Sequence, residues 1–543
     1  MKLSVNEICA GVLVGSAILL LYLPTIFFGL TYLDDQIWLI DYNWYLKDIH
    51  HAFKLFGDRD LLAYCYYRPL LNFSFMLNAV VGGSHPQGYR CVNIFLHIIN
   101  TGLLYILWRN LGYGWRLAMF FCLFFAVHPV FVSAVAWIPG RTESLLAFFV
   151  LLSFICFVDF FNSGRRLSLI IHAISFLCAL WTKETALATI VLCGFYRYVI
   201  GIRPSHRYHQ REWVVTGGMV LMIWGVMRYH ALQHSAPVQV DIILKTVQQN
   251  WPSLISYWGK IFLPMHLSVL PVLPDMRMGY GILSIIIIGL ALLKSPRKRL
   301  AYVVLGILWF ILFLAPSLVL SSIFYEYRLY LPMVGALIVL GEVEWVKRLD
   351  DFNPSRTGIA VAFGIIIILM TMSWWYIQRY HDRLTFWKSA VLTSPHSALA
   401  HHNLGGMYQL MHQWHLAEDE YKKTLALSPK EIMVHNNLGM MYMNLGQEKI
   451  AEDEYKQEIA MNPEYVMAYS NLGLLYYNQG RQDEAAQLWQ KAIDLQPLLT
   501  KEYYYLAVYH FNKGHYVQAK SLVEQIQKQG WAIDPKFLAA LQQ

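Results

Sequence analysis

The sequence predicts an all-α protein: a polytopic membrane helix bundle of about eleven spans, followed by an α-solenoid of short helical repeats. Three observations lead there. Of 543 residues 57% are hydrophobic and only 14% charged, far from the balance of a soluble globular chain. Apolar runs long enough to cross a hydrocarbon slab of roughly 30 Å recur through the first two thirds. In the last third Pro395, Pro429, Pro463 and Pro497 recur every 34 residues.

The expected spans are 9–30, 88–108, 115–137, 144–161, 167–182, 184–200, 213–230, 280–293, 300–319, 328–345 and 357–377. Placing the N-terminus in the cytoplasm collects Arg109/Arg116, Arg165/Arg166, the Arg197–Arg211 quartet, "KSPRKR" (294–299) and Lys347/Arg348/Arg356 in inside loops. Short cytoplasmic loops show this basic excess. A full crossing by "WPSLISYWGKIFLP" (251–264) would misplace "KSPRKR", so that piece is expected at the outer surface. Eleven crossings then put the loop 31–87 and the C-terminus outside. The first apolar run lacks the basic start and cleavage pattern of a signal peptide and is expected to be retained. Net charge +8 falls in loop clusters, which indicates membrane orientation and not nucleic acid. The seven cysteines (Cys9, Cys65, Cys91, Cys122, Cys156, Cys178 and Cys193) have no CxxC or metal-type spacing, which argues against a disulfide scaffold.

After about residue 380 several columns share the 34-residue period: Asn403/Asn437/Asn471, each followed by Leu-Gly, with Ala417/Ala451/Ala485 and Tyr421/Tyr455/Trp489. This is the tetratricopeptide signature, a helix–turn–helix that stacks on its neighbours. Residues 503–522 read as a degenerate fourth repeat, and "RLTFWKSAVLTSP" (383–395) as a half repeat joining the array to the last span. The domains expected are 1–379, in the membrane, and 380–543, the repeats on the non-cytoplasmic side.

On this topology the polar motifs gather at the outer ends of spans: Asp34/Asp35, "YYRPL" (66–70), "HPV" (128–130), "GRTE" (140–143), "TKET" (182–185), "YWGK" (257–260) and "YEYR" (325–328). Ionisable groups at membrane depth are expensive, so convergence on one face suggests a site. Arg68, Arg141, Lys183, Arg328 and Lys260 form a candidate phosphate-binding set. Asp34 or Asp35 is the candidate base for an attacking hydroxyl, with Asp34 preferred, and His128, Glu143 and Glu184 are candidate supports. Blander readings stand beside these: a carboxylate pair ending a helix, local Arg141–Glu143 and Lys183–Glu184 pairs, a packing histidine. Asn403, Asn437 and Asn471 either form an amide ladder for the main chain of an acceptor peptide or are simply the repeat's consensus. No metal-ligand spacing, phosphate loop or serine-nucleophile elbow is present, so no cofactor is identified and divalent-metal dependence is open.

These blocks resemble the transmembrane and tetratricopeptide-repeat (TMTC-like) family of protein O-mannosyltransferases, in the GT-C glycosyltransferase superfamily. The resemblance rests on the first-loop "DD", "YYRPLLNFSFMLN…GYRCVNIFLHIIN" with Asn93 and His97, "AVHPVFVSAVAWIPGRTE", "KET", "YWGKIFLP" and "YEYRLYLP", in order. It departs in having about four repeats and in placing Tyr327 between Glu326 and Arg328. The resemblance implies a polyprenyl-phosphate-linked hexose donor such as a mannosyl lipid, an acceptor protein that takes the sugar on Ser or Thr hydroxyls, and inverting transfer with a first-loop carboxylate as base. It leaves the outer compartment as a bacterial periplasm, which the compact array favours, or the endoplasmic reticulum lumen. The rival expectations are a non-catalytic repeat scaffold, a lipid flippase, and a transferase acting on a lipid or glycan.

Overall fold

The computed structural model describes residues 4–62, 65–201, 207–233, 240–319, 323–351 and 356–542. Every regular element among the described residues is helical. The chain divides into two compact units, Met1–Ser394 and Pro395–Gln543. The helix Arg383–Thr393, expected as a half repeat, falls inside the first unit.

Among the described residues of the first unit five helices are long and apolar enough to cross a membrane: Val5–Phe27, Pro86–Asn110, Ile138–Ser163, Leu300–Val319 and Arg356–Tyr380. A sixth span results if Trp115–Ala126 and Pro129–Val135, bent by 50°, count as one. The expected number of eleven also takes in shorter apolar helices, Arg166–Thr182, Gly279–Leu293 and Pro332–Gly341, and two further stretches. Of those two, 184–200 is divided among a 3-10 turn, the helix Ala188–Phe195 and a π turn. The other, 213–230, lies within Arg207–Leu232, which carries Arg211, Glu212 and Arg228. The sequence reading passed over one apolar helix, Pro69–Gly82, which follows directly on "YYR". Pro252–Phe262, in the undecided 251–264 piece, has 11 residues and rises only about 16 Å.

The helix Pro86–Asn110 organises the bundle through a polar stripe. Arg90, Asn93, His97 and Asn100 recur at three- and four-residue spacing on one face and are all buried. Their partners include carbonyls left open where neighbouring helices break. Arg90 donates to Phe28 O, Gly29 O and Ala136 O. Asn93 donates to Trp137 O at 3.2 Å, and Asn100 to Ser144 O at 2.7 Å. His97 Nε2 donates to Ala126 O at 3.1 Å and its Nδ1 accepts from the Tyr330 hydroxyl at 2.7 Å. Unpaired carbonyls are costly away from water, so this stripe is what makes broken helices tolerable here.

The 50° bend follows from His128 and Pro129. Proline supplies no N–H to continue the helix. The His128 Nδ1 accepts from Val130 N at 3.3 Å, capping the next turn, and Nε2 donates to Ile261 O at 2.9 Å. The turn then closes on Gly140, where a Cβ would stand 2.2 Å from Ser133 O, so only glycine admits this approach. Elsewhere Leu300–Leu314 and Pro332–Gly341 cross on Gly306 and Gly335, each facing the other's backbone.

Among its described residues the second unit has four antiparallel helix pairs, Ala398–Leu410 with Trp414–Leu427, Val434–Asn444 with Glu448–Met461, Val466–Asn478 with Gln482–Leu495, and Thr500–Asn512 with Tyr516–Lys528, followed by the helix Pro535–Gln542. Ala417, Ala451 and Ala485 are fully buried where each pair touches. In each of the first three pairs a glycine of the first helix (Gly405, Gly439, Gly473) lies against an aromatic ring of the second (Tyr421, Tyr455, Trp489).

Candidate active site

The polar motifs meet around a cavity of about 290 Å³ lined by Asp34, Trp38, Tyr66, Arg68, Glu143, Lys183, Tyr325, Tyr327 and Arg328, among others. Its wall is contributed by the loop after the first span, the start of Pro69–Gly82, the first turn of Arg141–Ser163, the residue after Arg166–Thr182 and the short turn Glu326–Leu329. Four residues expected at a site, Asp34, Arg68, Lys183 and Arg328, thus share one cavity with the expected support Glu143.

Asp34 and Asp35 differ in environment. Asp35 is fully buried and accepts from Thr31 N at 2.7 Å and Leu33 N at 3.2 Å. It braces the turn and does not line the cavity. Asp34 is half-buried, and its carboxylate has no hydrogen bond or ion pair among the described residues. Burial, and next the charge of Asp35, push the Asp34 carboxyl up to about 7. The turn carries Tyr32 at φ +56°, a left-handed conformation that costs an L-residue on the order of 1–2 kcal/mol. The Arg383 guanidinium sits 4.6 Å from the Tyr32 ring centre and covers it. Trp38 is held by a stack on Phe75 at 4.4 Å and by donation to Asn72.

The three cavity cations are compensated unequally. Lys183 is ion-paired with Glu143. Arg68 lies 3.7 Å from Asp60 and 3.5 Å from Glu184, with its guanidinium 4.0 Å from the Tyr66 ring centre. Those pairs are too long for good hydrogen bonds, so its donors keep capacity for a ligand. Arg328 donates to Ile323 O at 2.8 Å and has no carboxylate within ion-pair distance among the described residues. Among the described residues the cavity therefore carries one uncompensated guanidinium and one uncompensated carboxyl.

Other expected site residues are engaged elsewhere. Arg141 is fully buried, and its nitrogens donate to Asn93 Oδ1 at 3.0 Å, Ser74 O at 3.0 Å and Tyr89 O at 2.8 Å. Each of its nitrogens is engaged within the protein and the side chain does not line the cavity, so Arg141 rivets Pro69–Gly82 and Pro86–Asn110 to its own helix. Lys260 is buried and ion-paired at 2.7 Å with Glu326, which also accepts from Ser268 N and the Tyr376 hydroxyl. Lys260 braces the "YEYR" turn without lining the cavity. His128 is committed at both ring nitrogens to the bend described above. Glu184 stands behind Arg68, pairing also with Arg228 at 2.7 Å.

The asparagine ladder is used within the array. Asn403 Nδ2 donates to Leu399 O at 2.8 Å, Asn437 Nδ2 meets His402 Nε2 at 3.0 Å and Asn471 Nδ2 donates to Asn436 Oδ1 at 2.8 Å. These amides tie helices and repeats together, so a peptide would meet them only in competition with those bonds. The sequence reading missed the aromatic part of the cavity, Tyr66, Tyr325 and Tyr327. The signal was present: "YEYR" alternates Tyr, Glu, Tyr, Arg, and the buried Glu326 turns its neighbours the other way. No group of three or more metal-binding side chains is found among the described residues.

Residues 60–224 match the family described as dolichyl-phosphate-mannose-protein mannosyltransferase, and residues 466–497 match the tetratricopeptide repeat. The first match takes in Arg68, Glu143 and Lys183, starts after Asp34 and ends before Arg328. The chain is similar to protein O-mannosyl-transferase Tmtc1 of Drosophila melanogaster, at 35% identity over 24% of this chain and 15% of that protein. It is similar to protein O-mannosyl-transferase TMTC4 of Homo sapiens, at 24% identity over 62% of this chain and 55% of that protein. To TMTC2 of Mus musculus it is 41% identical over 17% of this chain and 11% of that protein. The chain spans about half the length, or less, of the curated relatives it matches.

Proposed function

The chain is TMTC-like in sequence, and from that premise we propose that it is a membrane glycosyltransferase that moves a hexose, mannose by its relatives' names, from a polyprenyl-phosphate-linked donor to Ser or Thr hydroxyls of an acceptor protein. The observation that carries this is the uncompensated Asp34 carboxyl facing a cavity that also holds the uncompensated Arg328. In the reaction the acceptor oxygen forms a bond to the anomeric carbon as the bond from that carbon to the phosphate oxygen breaks, inverting the centre. The acceptor proton passes to Asp34. The leaving phosphate rises from one negative charge toward two, and Arg328 and Arg68 oppose that charge where it develops. Asp35 holds the turn that presents Asp34. In this reading the repeats lie on the non-cytoplasmic side and deliver the acceptor.

The test uses the full chain reconstituted in lipid with polyprenyl-phospho-mannose and an unfolded Ser/Thr-rich acceptor, following polyprenyl phosphate release and sugar on the peptide. Asp34→Asn is expected to lower kcat by roughly 10²–10⁴-fold, the usual contribution of a positioned base, with a melting temperature no lower than the wild type's. Undiminished turnover by Asp34→Asn would remove the assignment.

A further inference from the structure

One wall of the cavity is neither ionic nor aliphatic. Tyr325 and Tyr327 are stacked with ring centres 4.9 Å apart and planes 19° apart, and Trp137 lies 5.5 Å from the first and 5.9 Å from the second. Tyr325 is buried inside this cluster, between Trp137, Tyr327 and the Arg328 guanidinium at 5.5 Å. Both rings line the cavity, and Tyr327 is the more exposed of the two. A stack that ends on a half-open ring has one aromatic face left for a ligand. The turn bearing the rings is fixed from behind, since Glu326 between them is buried in its bonds to Lys260, Tyr376 and Ser268.

The groups around that face sort the ligand by chemistry. A pyranose offers a face of C–H groups with partial positive charge, which complements the negative face of an aromatic ring. Its rim offers hydroxyls, which need a carboxylate to accept and a cation to donate, and the Glu143–Lys183 pair supplies both in the same cavity. The lone Arg328 directly follows Tyr327 and suits an anion instead. A nucleobase would also stack, but Lys183 is already paired with Glu143 and Arg68 lies between Asp60 and Glu184, so Arg328 is the cavity cation most open to an anion, which suits a single phosphate better than a di- or triphosphate.

We propose that the cavity has two subsites: Tyr327, backed by Tyr325 and Trp137, is the floor on which a hexose ring lies with its hydroxyls toward Glu143 and Lys183, while Arg328 holds the adjoining phosphate. This rests on the transferase reading and names the group that binds sugar as distinct from phosphate. Tyr327 acts as a specificity residue. Its phenol ring, and not its hydroxyl, supplies the floor.

The experiment compares binding of polyprenyl-phospho-mannose, polyprenyl-phospho-glucose and polyprenyl phosphate to the full chain in lipid nanodiscs, with turnover measured alongside. Tyr327→Phe keeps the ring and is expected to restore most of the sugar-lipid binding that Tyr327→Leu loses. Tyr327→Leu keeps bulk without a π face, and is expected to weaken binding of the sugar lipids about tenfold and raise KM to match, leaving polyprenyl phosphate affinity unchanged. Arg328→Gln is expected to weaken all three lipids. Equal binding of sugar lipids by Tyr327→Leu and wild type, or equal losses for polyprenyl phosphate and its glycosides, would overturn the subsite assignment. Because binding is read without turnover, a wild type that discriminates sugar lipid from bare lipid yet transfers nothing would sink the transferase reading and leave the sugar floor standing. A wild type that binds the glycosides no better than polyprenyl phosphate would sink the floor.

Discussion

At the scale of single residues, Asp34 carries the pH dependence. Its carboxyl is pushed up to about 7 by burial and by Asp35, and a base works only when ionised, so kcat/KM should rise with pH and level off above about 7. The same shift has a cost in stability: folding favours the protonated form, so the wild type loses stability as pH climbs from about 4 to about 7, and no further loss follows above that. Asp34→Asn should therefore melt at the wild-type temperature near pH 4 and above it at pH 8, while remaining inactive. Thermal melts at the two pH values and a pH–rate profile check this, and a flat stability difference would contradict it. Arg141 behaves in the opposite sense. Replacing it with Met removes the donor to Asn93 Oδ1, Ser74 O and Tyr89 O, an expected loss of roughly 1–3 kcal/mol for each acceptor left unsatisfied, seen as failure to purify as a single species and not as raised KM. Asp34, Arg68, Lys183 and Arg328 were legible as cavity residues because a polar group beside an apolar run needs a reason to be there. Arg141, Lys260 and His128 were not separable from them, since an arginine bonded to three oxygens of its own chain reads the same in one dimension as an arginine facing a ligand.

At the scale of elements, the repeats were the most legible part, because glycine, alanine and an aromatic ring at fixed offsets describe a contact as much as a sequence. The turns between paired helices show where one repeat differs. Gly446, Gly480 and Gly514 have φ between +72° and +81°, and in the first repeat His412 takes that position at φ +56°. His412→Gly should stabilise the first pair by roughly 0.5–1 kcal/mol, read as slower hydrogen exchange in 398–427, with the later repeats unchanged. Slower exchange throughout, or none, would show that the turn is not the weak point. Membrane helices were less legible. Hydropathy finds apolar stretches but not the breaks inside them, and it missed Pro69–Gly82 because polar Asn72, Ser74 and Asn78 dilute the window.

At the scale of the whole molecule, the boundary between the two compact units falls along the chain at Ser394/Pro395, which sets where the chain can be divided. Ending it after Ser394 should leave donor cleavage by water within a few-fold of the full chain while transfer to a protein acceptor falls at least tenfold. Equal losses in the two assays would mean that the repeats support the catalytic unit and do not deliver substrate. The side of the membrane that carries the repeats is testable by protease protection in sealed vesicles: cleavage only after permeabilisation of inside-out or right-side-out vesicles assigns it.

The polar stripe on Pro86–Asn110 also bears on biogenesis. The irregular backbone from Ala126 to Ile138 depends for its carbonyl partners on side chains that leave the ribosome some thirty to fifty residues earlier. Synthesis from the N-terminus thus delivers the donors before the acceptors that need them, and the kinked segment enters lipid with a ready chaperone in its own chain. Arg90 and Asn93 are accordingly positions where a substitution is felt during insertion, before any sugar is bound.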